Sequence, residues 1–565
     1  MTPSQATNQP LPRTDPNRWP RAATATAFDH FSSPDHGSQR QYAQQHGIPR
    51  ATLGSWLRQE APTDLDPQVV AFLRSTAGEA FLRRLVLAAL LTFQQQAACG
   101  LRPIGRFLQL AQLDHFVASS YGALHELATH LQADLGLFAD EERPRLATQM
   151  TPRTVTLTAD ENFHGPQPCL VASEPVSNFL VVECYRDHRD GDTWTTVIQE
   201  GLGDLPITLV LLTSDQAKGL LRCARDGLQV AHSPDLFHGQ RDLLRPLLLP
   251  LARPVQQAAK ELDQARQHTN SLDGELPAEG PVQLSLKEIA QIAAALGREE
   301  DAAQRLAAAQ AQQEQVVQAV RGVGDDYHPF DRETGLPVTA EQVGARLGQQ
   351  VERLERVAQQ AGLGARAQEA LTKARSWLGT LVAVVAWFWG QARQQVGNLE
   401  LSAAQEQVVY ECLLAGHYWE RQASRARAGQ ERQRLKELAE GLLKEAWQEK
   451  GELASLAEAT KQEVQRVAQQ CAGLFSRSSS CVEGRNGRLA LHHHGQGRLS
   501  EGKLKALTVV HNYVVRRTDG TTAAERFFGV KQRDAFAWLL QRLPDLPRPA
   551  AKRPQKAAQA APQGG

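Results

Sequence analysis

The chain contains the stretch Ile207-Thr208-Leu209-Val210-Leu211-Leu212-Thr213-Ser214-Asp215, an apolar and β-branched run that ends in a carboxylate. A continuous run of this kind is typical of a central strand that is covered on both faces. An earlier stretch, Thr154-Val155-Thr156-Leu157-Thr158-Ala159-Asp160, alternates Thr with apolar residues and also ends in an Asp. Because strand ends project their side chains into a shared crevice, we expect Asp160 and Asp215 to lie near each other.

Further β-rich runs follow these patterns along the chain. The additional short segments of this type are residues 169–172, 179–184 and 194–198. With the two runs above, they predict five strands in a mixed sheet. A helix-like segment follows Asp215, and another short strand from residue 230 precedes a helix start. Strands followed by helices predict an α/β core over residues 151–250.

The bulk composition is that of a globular, multidomain protein. The chain has 565 residues, of which 42% are hydrophobic and 22% charged, and this length predicts about three or four folded units. Seven scattered cysteines without a CxxC spacing argue against a disulfide framework or a zinc site, and they indicate a reducing interior. The first residues do not resemble a secretory signal. Residues 377–390 form the longest apolar stretch, which is too short to span a bilayer and predicts a buried helix.

The N-terminal region is expected to bind DNA. Residues 1–37 are rich in Pro, Thr, Ser and Asp, and they predict a disordered leader. Residues 38–150 predict helices, and the first twenty of them have the spacing of a helix-turn-helix, with Gly47 in the turn and Pro49 opening the second helix. The residues that this helix would expose to base edges and phosphates are Arg50, Thr52 and Ser55. The alternative is a two-helix fragment of a larger bundle.

The sheet signal disappears after residue 250. Ala, Gln, Glu, Arg and Leu dominate residues 251–470 with a helical period, which predicts a long all-α, coiled-coil-like insertion. Residues 471–546 would complete the α/β core, and residues 547–565 predict a disordered basic tail. The whole chain is neutral, but residues 471–565 hold 16 Lys plus Arg against 6 Asp plus Glu. A basic segment of this kind suits a polyphosphate backbone.

A third carboxylate, Glu483, lies in this basic segment. It follows the polar stretch Ser478-Ser479-Ser480-Cys481-Val482 and precedes a helical pattern. A helix carboxylate beside Asp160 and Asp215 from strand ends would form a cage for Mg²⁺ or Mn²⁺, and such a cage predicts phosphodiester chemistry. Taken singly, Asp160 is explained as a turn residue, Asp215 as a helix N-cap and Glu483 as a solvated first-turn residue.

Two other acids compete for a place in this cage. Glu161 adjoins Asp160, but neighbouring residues of a strand point to opposite faces. Asp235 also follows a short strand, and with His238 and Asp242 at i+3 and i+7 it would line one helical face. Both acids stay open as contributors to the site.

Basic and imidazole side chains near Glu483 are expected to meet DNA rather than zinc. The triplet His492-His493-His494 cannot converge on one ion, so we expect it to face solvent or phosphate. Residues 503–517 predict a basic amphipathic helix that packs on the sheet while its cations touch a DNA backbone. The residues expected to contact phosphates are Arg485, Arg488, Lys503 and Lys505.

Several stretches of the chain resemble DDE-type transposases of the bacterial insertion-sequence kind. They are Thr158-Ala159-Asp160-Glu161, Leu212-Thr213-Ser214-Asp215-Gln216-Ala217-Lys218 with Pro234-Asp235-Leu236-Phe237-His238, Ser479-Ser480-Cys481-Val482-Glu483-Gly484-Arg485-Asn486-Gly487-Arg488-Leu489, and Asp519-Gly520-Thr521-Thr522-Ala523-Ala524-Glu525-Arg526-Phe527-Phe528-Gly529. The resemblance implies a ribonuclease-H-like (RNase H-like) fold with one Asp on the first strand, one after the fourth strand and a Glu on a later helix. It assigns these roles to Asp160, Asp215 and Glu483. Some transposase families carry an insertion domain before the Glu, where this chain has its helical region.

The resemblance also implies a mechanism and partners. The three acids would hold two Mg²⁺ or Mn²⁺ ions, which activate water to cut the element ends and then activate the freed 3′-hydroxyl to attack target DNA. The partners would be double-stranded DNA, as terminal repeats and target, and a second copy of the chain. The implied location is the bacterial cytoplasm, at the nucleoid, with no membrane.

One departure limits what the resemblance implies. A large insertion-sequence group has a Tyr and an Arg at fixed offsets before the Glu, where this chain has Ser476 and Ser479. Membership of that group is therefore not implied. Two other functions stay open, namely a nuclease of the same fold that cuts without joining, and a catalytically inactive derivative that binds DNA without metal dependence.

Overall fold

The computed structural model describes residues 19–58, 65–163, 167–203, 205–274, 284–496 and 499–549. Helices dominate, and a five-stranded mixed sheet lies among them. The strands are β1 (Arg153–Asn162), β2 (Cys169–Glu174), β3 (Phe179–Tyr185), β4 (Ile207–Ser214) and β5 (Ala231–Pro234), in the order β3-β2-β1-β4-β5. β2 pairs antiparallel with both β1 and β3, whereas β1 with β4 and β4 with β5 are parallel pairs.

The helices fall into four groups along the chain. Those before the sheet are α1 (Arg21–Ser32), α2 (Gln39–Gln45), α3 (Arg50–Leu57), α4 (Pro67–Arg74), α5 (Thr76–Ala89), α6 (Leu101–Leu110) and α7 (Tyr121–Ala147). Those between strands are α8 (Gly191–Leu202) and α9 (Lys218–Arg222). The insertion contains α10 (Leu236–Gly274), α11 (Leu286–Asp326), α12 (Ala340–Gln360), α13 (Ala365–Gly397), α14 (Ala403–Val408), α15 (Ala415–Arg425), α16 (Gly429–Ala446) and α17 (Glu458–Leu474). The last group is α18 (Ser480–Gln496), α19 (Glu501–Val509), α20 (Ala523–Phe528) and α21 (Ala535–Arg542).

Short helical turns of other types extend or link these helices. They are the π-helical turns Leu90–Gln96, Cys223–Gly227, Val409–Leu414 and Val510–Val514, and the 3₁₀ turn Leu113–His115.

Both faces of the central strands are covered, as the apolar run of β4 predicts. Leu157 of β1 and Leu212 of β4 are fully buried in a core that also contains Trp194 of α8. On the opposite face, Val171 of β2 packs with Val482 of α18. Burial on both sides fixes the sheet between two helical layers, and it brings α18 against the strands that carry the acids.

One predicted strand is wrong. Residues 194–198 belong to α8, not to the sheet. The Asp190 side chain accepts a hydrogen bond from the Thr193 backbone N–H at 2.8 Å, which caps the start of this helix. Trp194, Val197 and Ile198 are buried at helical spacing on one face, and this tertiary contact overrides the β propensity of the segment.

The predicted disordered leader is also partly wrong, because α1 lies within it. Ala23 and Ala27 of α1 are fully buried against Leu53 and Trp56 of α3. The small Ala side chains allow the close helix contact that orders this segment. Residues 1–18 of the predicted leader and residues 550–565 of the predicted tail lie outside the described residues.

Helices α2 and α3 occupy the segment that predicts a helix-turn-helix. Gly47 in the turn between them has a φ of 65°, a left-handed conformation that favours glycine. Arg50 and Ser55 are exposed on α3, whereas Thr52 is half-buried. DNA contact by this helix pair stays a prediction.

The insertion is all-helical, as predicted, but its first helix begins at Leu236 rather than near residue 251. It has its own core, in which Leu347, Leu381 and Tyr418 are fully buried. Residues 377–390 lie in α13, again as predicted. No helix among the described residues combines the length and apolar character that a membrane crossing requires.

Truncation of Leu212 tests whether the sheet core supports the fold. Leu212→Ala should lower the free energy of unfolding of the sheet region by about 2–5 kcal/mol, because it leaves a cavity in a fully buried site. Leu286, which is 87% exposed, is the control, and Leu286→Ala should change stability by less than about 0.5 kcal/mol. Urea unfolding followed by circular dichroism measures both. Equal effects of the two substitutions would contradict the placement of β4.

Candidate metal centre

Two carboxylates lie at the same end of neighbouring parallel strands. Thr158 of β1 pairs with Thr213 of β4, and Asp160 and Asp215 each lie two residues further along the chain. Residues two apart in a strand share a face, so Asp160 lies on the face of Thr158. Asp215 lies one residue beyond β4, but it is close enough to Asp160 to raise the pKa of that carboxyl. Asp160 lies inside β1, which continues to Asn162, rather than at its predicted end. Asp215 is exposed and directly follows β4.

The surroundings of Asp160 disfavour its charged form. Burial, then Asp215 and to a lesser extent Glu161, raise the pKa of Asp160 to about 7, although His238 opposes the shift. The Glu161 backbone N–H donates a hydrogen bond to Asp160 Oδ1 at 2.9 Å. A cation bound beside these acids would relieve their mutual repulsion.

Helix α18 delivers Glu483 to this face of the sheet. Glu483 is in its first turn, and Val482 and Leu489 pack onto Val171 of the sheet. Thr158 Oγ1 lies 2.9 Å from Cys481 Sγ, so the face that carries Thr158 is the one that α18 covers. The helix therefore approaches Asp160 from the side on which its carboxylate projects.

A second group of ligand atoms surrounds Glu483. One ligand atom each from Asp235, His238 and Glu483 lies within 4.8 Å of the others. His238 Nδ1 is 3.2 Å from Asp235 Oδ2 and 3.9 Å from Glu483 Oε1. Asp235 raises the pKa of His238, and burial followed by Asp235 raises that of Glu483. Because His238 also acts electrostatically on Asp160, it links Glu483 to the strand acids.

Asp235 is committed to structural hydrogen bonds. Its Oδ1 accepts from the backbone N–H groups of Phe237 at 2.7 Å and His238 at 3.3 Å. Its Oδ2 accepts from the Ser479 backbone N–H at 2.9 Å and from the Ser479 hydroxyl. Burial alone would raise the pKa of Asp235, but the contacts with His238 and Ser479 outweigh burial and lower it. The same carboxylate thus caps α10 and holds the residue before α18.

The structure brings together part of the predicted metal cage. It also adds His238, which the sequence prediction did not include among the metal ligands. Asp160 and Asp215 are electrostatic neighbours, and Glu483 reaches them through His238 rather than as one tight cluster. The i, i+3 spacing from Asp235 to His238 was the sequence signal for this histidine. Glu161, the rival of Asp160, pairs with Arg189 through Oε1, but its Oε2 is buried without a hydrogen-bond partner among the described residues, so Glu161 stays open as a contributor to the site.

The basic residues predicted to contact DNA have different surroundings. Arg485 is buried in an ion pair with Glu183 at 2.6 Å, and Lys505 pairs with Asp140 at 2.9 Å on the surface. Lys503 is buried and donates a hydrogen bond to Gln95 at 2.7 Å, which corrects the expectation that it lies on the surface. Arg488 is exposed near Glu483.

The histidine triplet is also more buried than expected. His492 and His493 are buried, and His494 alone of the three is exposed. Burial lowers the pKa of His492 to about 4, with smaller contributions from Lys503 and Arg485. The prediction that these rings face solvent is therefore wrong for the first two, because α18 places His493 against Tyr185 of β3 and His492 near Lys503 and Gln95.

The donor set fits a divalent cation. Carboxylate oxygens of Asp160, Asp215 and Glu483 are ligands that Mg²⁺ and Mn²⁺ accept, and Mn²⁺ also accepts imidazole nitrogen. His238 Nδ1 lies near carboxylate oxygens of both Asp235 and Glu483, and it is buried without a hydrogen-bond partner among the described residues. An unpartnered imidazole nitrogen between two carboxylates is a candidate ligand for such a cation.

Comparison with known proteins adds one finding. A model of a family of unknown function, DUF6399, matches residues 409–555. The matched span contains Glu483 and the end of the insertion but not Asp160, Asp215 or Asp235. No curated protein matches the chain.

Removal of the Ser479 hydroxyl tests the Asp235 contact. Ser479→Ala should lower the free energy of unfolding by about 1.5–3 kcal/mol, because a hydrogen bond to a buried charged group is lost. Ser478→Ala is the matched control, with an expected change below about 0.5 kcal/mol. Urea unfolding measures both. Two variants of equal stability would show that the contact does not hold this segment.

Proposed function

We propose that the protein is a metal-dependent DNA transposase with an RNase H-like core, which cuts phosphodiester bonds at element ends and joins them to target DNA. The observation that supports the proposal is that Asp160 and Asp215 lie near the same end of two neighbouring strands, while the helix that carries Glu483 covers the face that Thr158 and Asp160 share. Asp160 is on the first strand, Asp215 directly follows the fourth, and Glu483 is on a helix packed against the face that Asp160 shares. This is the arrangement that the transposase resemblance implies.

Each acid has a defined part in the proposed chemistry. Asp160, Asp215 and Glu483 would hold two Mg²⁺ or Mn²⁺ ions. Such ions, when bound, lower the pKa of a hydroxyl nucleophile and stabilise the leaving oxygen of a phosphodiester. The burial of Asp160 and its repulsion by Asp215 supply the electrostatic reason for cation binding at this place.

His238 and Asp235 would support this centre from one side. We assign His238 as an imidazole ligand, because its unpartnered Nδ1 lies near carboxylate oxygens of both Asp235 and Glu483. Asp235 would act as a positioning residue, since its hydrogen bonds to Ser479 fix the entry of α18. Neither residue needs to form a covalent bond with the substrate.

The remaining parts of the chain would bind DNA and a second protomer. Helix α3 exposes Arg50 and Ser55, which are able to contact bases and phosphates of the terminal repeats. The insertion would position DNA or the second copy. Such a protein would act in the cytoplasm at the nucleoid.

Substitution of the three acids tests the proposed chemistry. Asp160→Asn, Asp215→Asn and Glu483→Gln should each lower cleavage of the element's flanking DNA by more than about 10³-fold, because each removes a charged ligand. Gel-based cleavage with Mg²⁺ or Mn²⁺ measures this, and DNA affinity should stay nearly unchanged. Chelation by EDTA should abolish cleavage by the unmodified protein.

The control for these variants is Glu200→Gln, which changes an exposed acid on α8. It should cleave normally. Normal cleavage by any of the three acid variants would remove that residue from the site. Cleavage without strand transfer would identify the protein as a nuclease instead.

Manganese binding tests the role of His238. His238→Ala should weaken Mn²⁺ binding by about 10-fold or more, because an imidazole ligand is lost. Isothermal titration calorimetry on the full chain measures the affinity. His188→Ala, which alters an exposed histidine of the same core, should leave it unchanged. Equal affinities of the two variants would exclude His238 as a ligand.

A further inference from the structure

A cationic cavity lies next to α18, outside the metal centre. Its volume is about 450 Å³. Six arginines line it, namely Arg425, Arg485, Arg488, Arg516, Arg517 and Arg526, and no acidic side chain among the described residues does so. We call it the arginine pocket. Residues from the insertion, from α18 and from the C-terminal segment meet in it, so folding assembles the charge from distant parts of the chain.

The charge of the arginine pocket is largely uncompensated. Two of its guanidiniums are in ion pairs, Arg485 with Glu183 and Arg516 with Glu525. Arg425 donates to the carbonyl of Pro175 and Arg526 to the carbonyl of Ser177, which are neutral partners. For the side chains of Arg488 and Arg517, the described residues provide neither a hydrogen bond nor an ion pair.

Neighbouring guanidiniums of the pocket also lower one another's pKa by charge repulsion. Burial and then Arg517 lower the pKa of Arg526 to about 10. Burial lowers the pKa of Arg517, Asp519 opposes the shift, and Arg425 adds to it. An anion bound among these side chains would relieve this repulsion.

His511 adds a hydrogen-bonding group to the pocket wall. It is 8% exposed, and its Nε2 lies 2.8 Å from the carbonyl oxygen of Asn178. A carbonyl only accepts, so Nε2 carries the proton and Nδ1 of the neutral ring is an acceptor. Nδ1 is buried and has no partner among the described residues. A ligand with anionic oxygens, such as a nucleotide, would match the cationic lining of this pocket.

Helix α18 separates the arginine pocket from the metal centre. Cys481, Gly484, Arg485 and Arg488 line the pocket and recur at helical spacing on one face. At 100° per residue, Glu483 points roughly to the opposite flank of the helix. A ligand that reaches both places must cross the solvent-facing ridge of α18.

Near Glu483, the exposed residues on that ridge have small side chains or none. Ser480, Gly484 and Gly487 are its exposed residues near Glu483. A Cβ added to Gly484 or Gly487 would meet no atom within 4 Å, and neither glycine has a positive φ. Glycine is unfavourable inside a helix, and nothing in the folded chain requires it at these two positions. Close approach of a ligand backbone accounts for both.

We propose that a single nucleic-acid strand crosses α18 over Gly484 and Gly487 and places its phosphodiesters in the arginine pocket. This inference rests on the proposed function and names the path of the strand beyond the metal centre. A cavity of this volume accommodates a group the size of a nucleotide rather than a duplex.

Binding in the absence of metal tests the pocket. The full chain is titrated into a fluorescein-labelled 20-nucleotide oligo(dT) strand in EDTA, and fluorescence anisotropy gives the affinity over a range of salt concentrations. Arg488→Ala/Arg517→Ala should weaken binding at least 10-fold and reduce the slope of log affinity against log salt by about 1.4, since two phosphate contacts are lost. Arg298→Ala/Arg356→Ala removes two exposed arginines of the insertion and should bind normally.

Substitution of the two glycines tests the path. Gly484→Gln/Gly487→Gln should raise the melting temperature, because Gln has the higher helix propensity, yet weaken strand binding at least 5-fold by obstructing the ridge. A variant that is more stable and binds more weakly cannot be explained by misfolding. Unchanged affinity in this variant would overturn the path across α18.

Three outcomes would overturn the arginine pocket as a strand site. The first is unchanged oligo(dT) affinity in Arg488→Ala/Arg517→Ala. The second is an equal loss for a 20-base-pair duplex, which would point to general duplex binding. The third is displacement of the strand by free orthophosphate at a concentration equal to that of the oligonucleotide's phosphates. This result would identify a site for small anions.

These measurements are independent of cleavage. Asp160→Asn should bind oligo(dT) in EDTA as the unmodified protein does. A protein that binds the strand through the pocket but never cleaves DNA would exclude the proposed function alone. Normal cleavage with unchanged strand affinity in the arginine variant would exclude the strand path alone.

Discussion

The buried carboxylate of Asp235 is the constraint on which the site depends. It accepts hydrogen bonds from the start of α10 and from Ser479, which lies 244 residues later in the chain. The Leu236 backbone N–H adds a bond of 2.9 Å to the carbonyl oxygen of Arg477. The chain therefore leaves the sheet and returns to it at the same point. Glu483 follows within one turn, so this contact sets where its carboxylate arrives relative to Asp160.

The insertion also stabilises the contact between the start of α10 and the residues that precede α18. Arg477 is buried between the two parts, and it donates a hydrogen bond of 2.8 Å to the Gly324 carbonyl at the end of α11. The same guanidinium lies 2.8 Å from His328 Nε2, and the other ring nitrogen of His328 lies 2.5 Å from the hydroxyl of Tyr418 in the insertion core. A change in the packing of the insertion would thus be transmitted to the residues that precede α18.

Local pattern predicted the five observed strands and the place of Asp215 directly after β4, because runs such as residues 207–212 carry their own periodicity. It also predicted Asp160 at the end of β1, whereas that strand continues to Asn162. It failed where a distant partner decides the outcome. The β-rich segment in α8 becomes helical because its apolar face meets the sheet core. The burial of Lys503 depends on Gln95, 408 residues away. The sequence also did not predict that Asp235 joins α10 to α18, because nothing in the local pattern marks its partner Ser479 as different from any other polar residue.

Two clusters of opposite charge lie on the two flanks of α18, and each is unfavourable by itself. On one side, Asp160 is repelled by Asp215 and the pKa of Glu483 is raised by burial and Asp235. On the other, Arg517 lowers the pKa of Arg526 and Arg425 lowers that of Arg517, while Arg488 has no acidic partner among the described residues. The described residues neutralise each cluster only in part, since Glu183 and Glu525 pair with two of the arginines and His238 lies beside Asp235 and Glu483. One helix width of about 10 Å separates the two clusters. A nucleic-acid strand with divalent cations carries both missing charges in one ligand, which is why the two clusters are more readily explained together than apart.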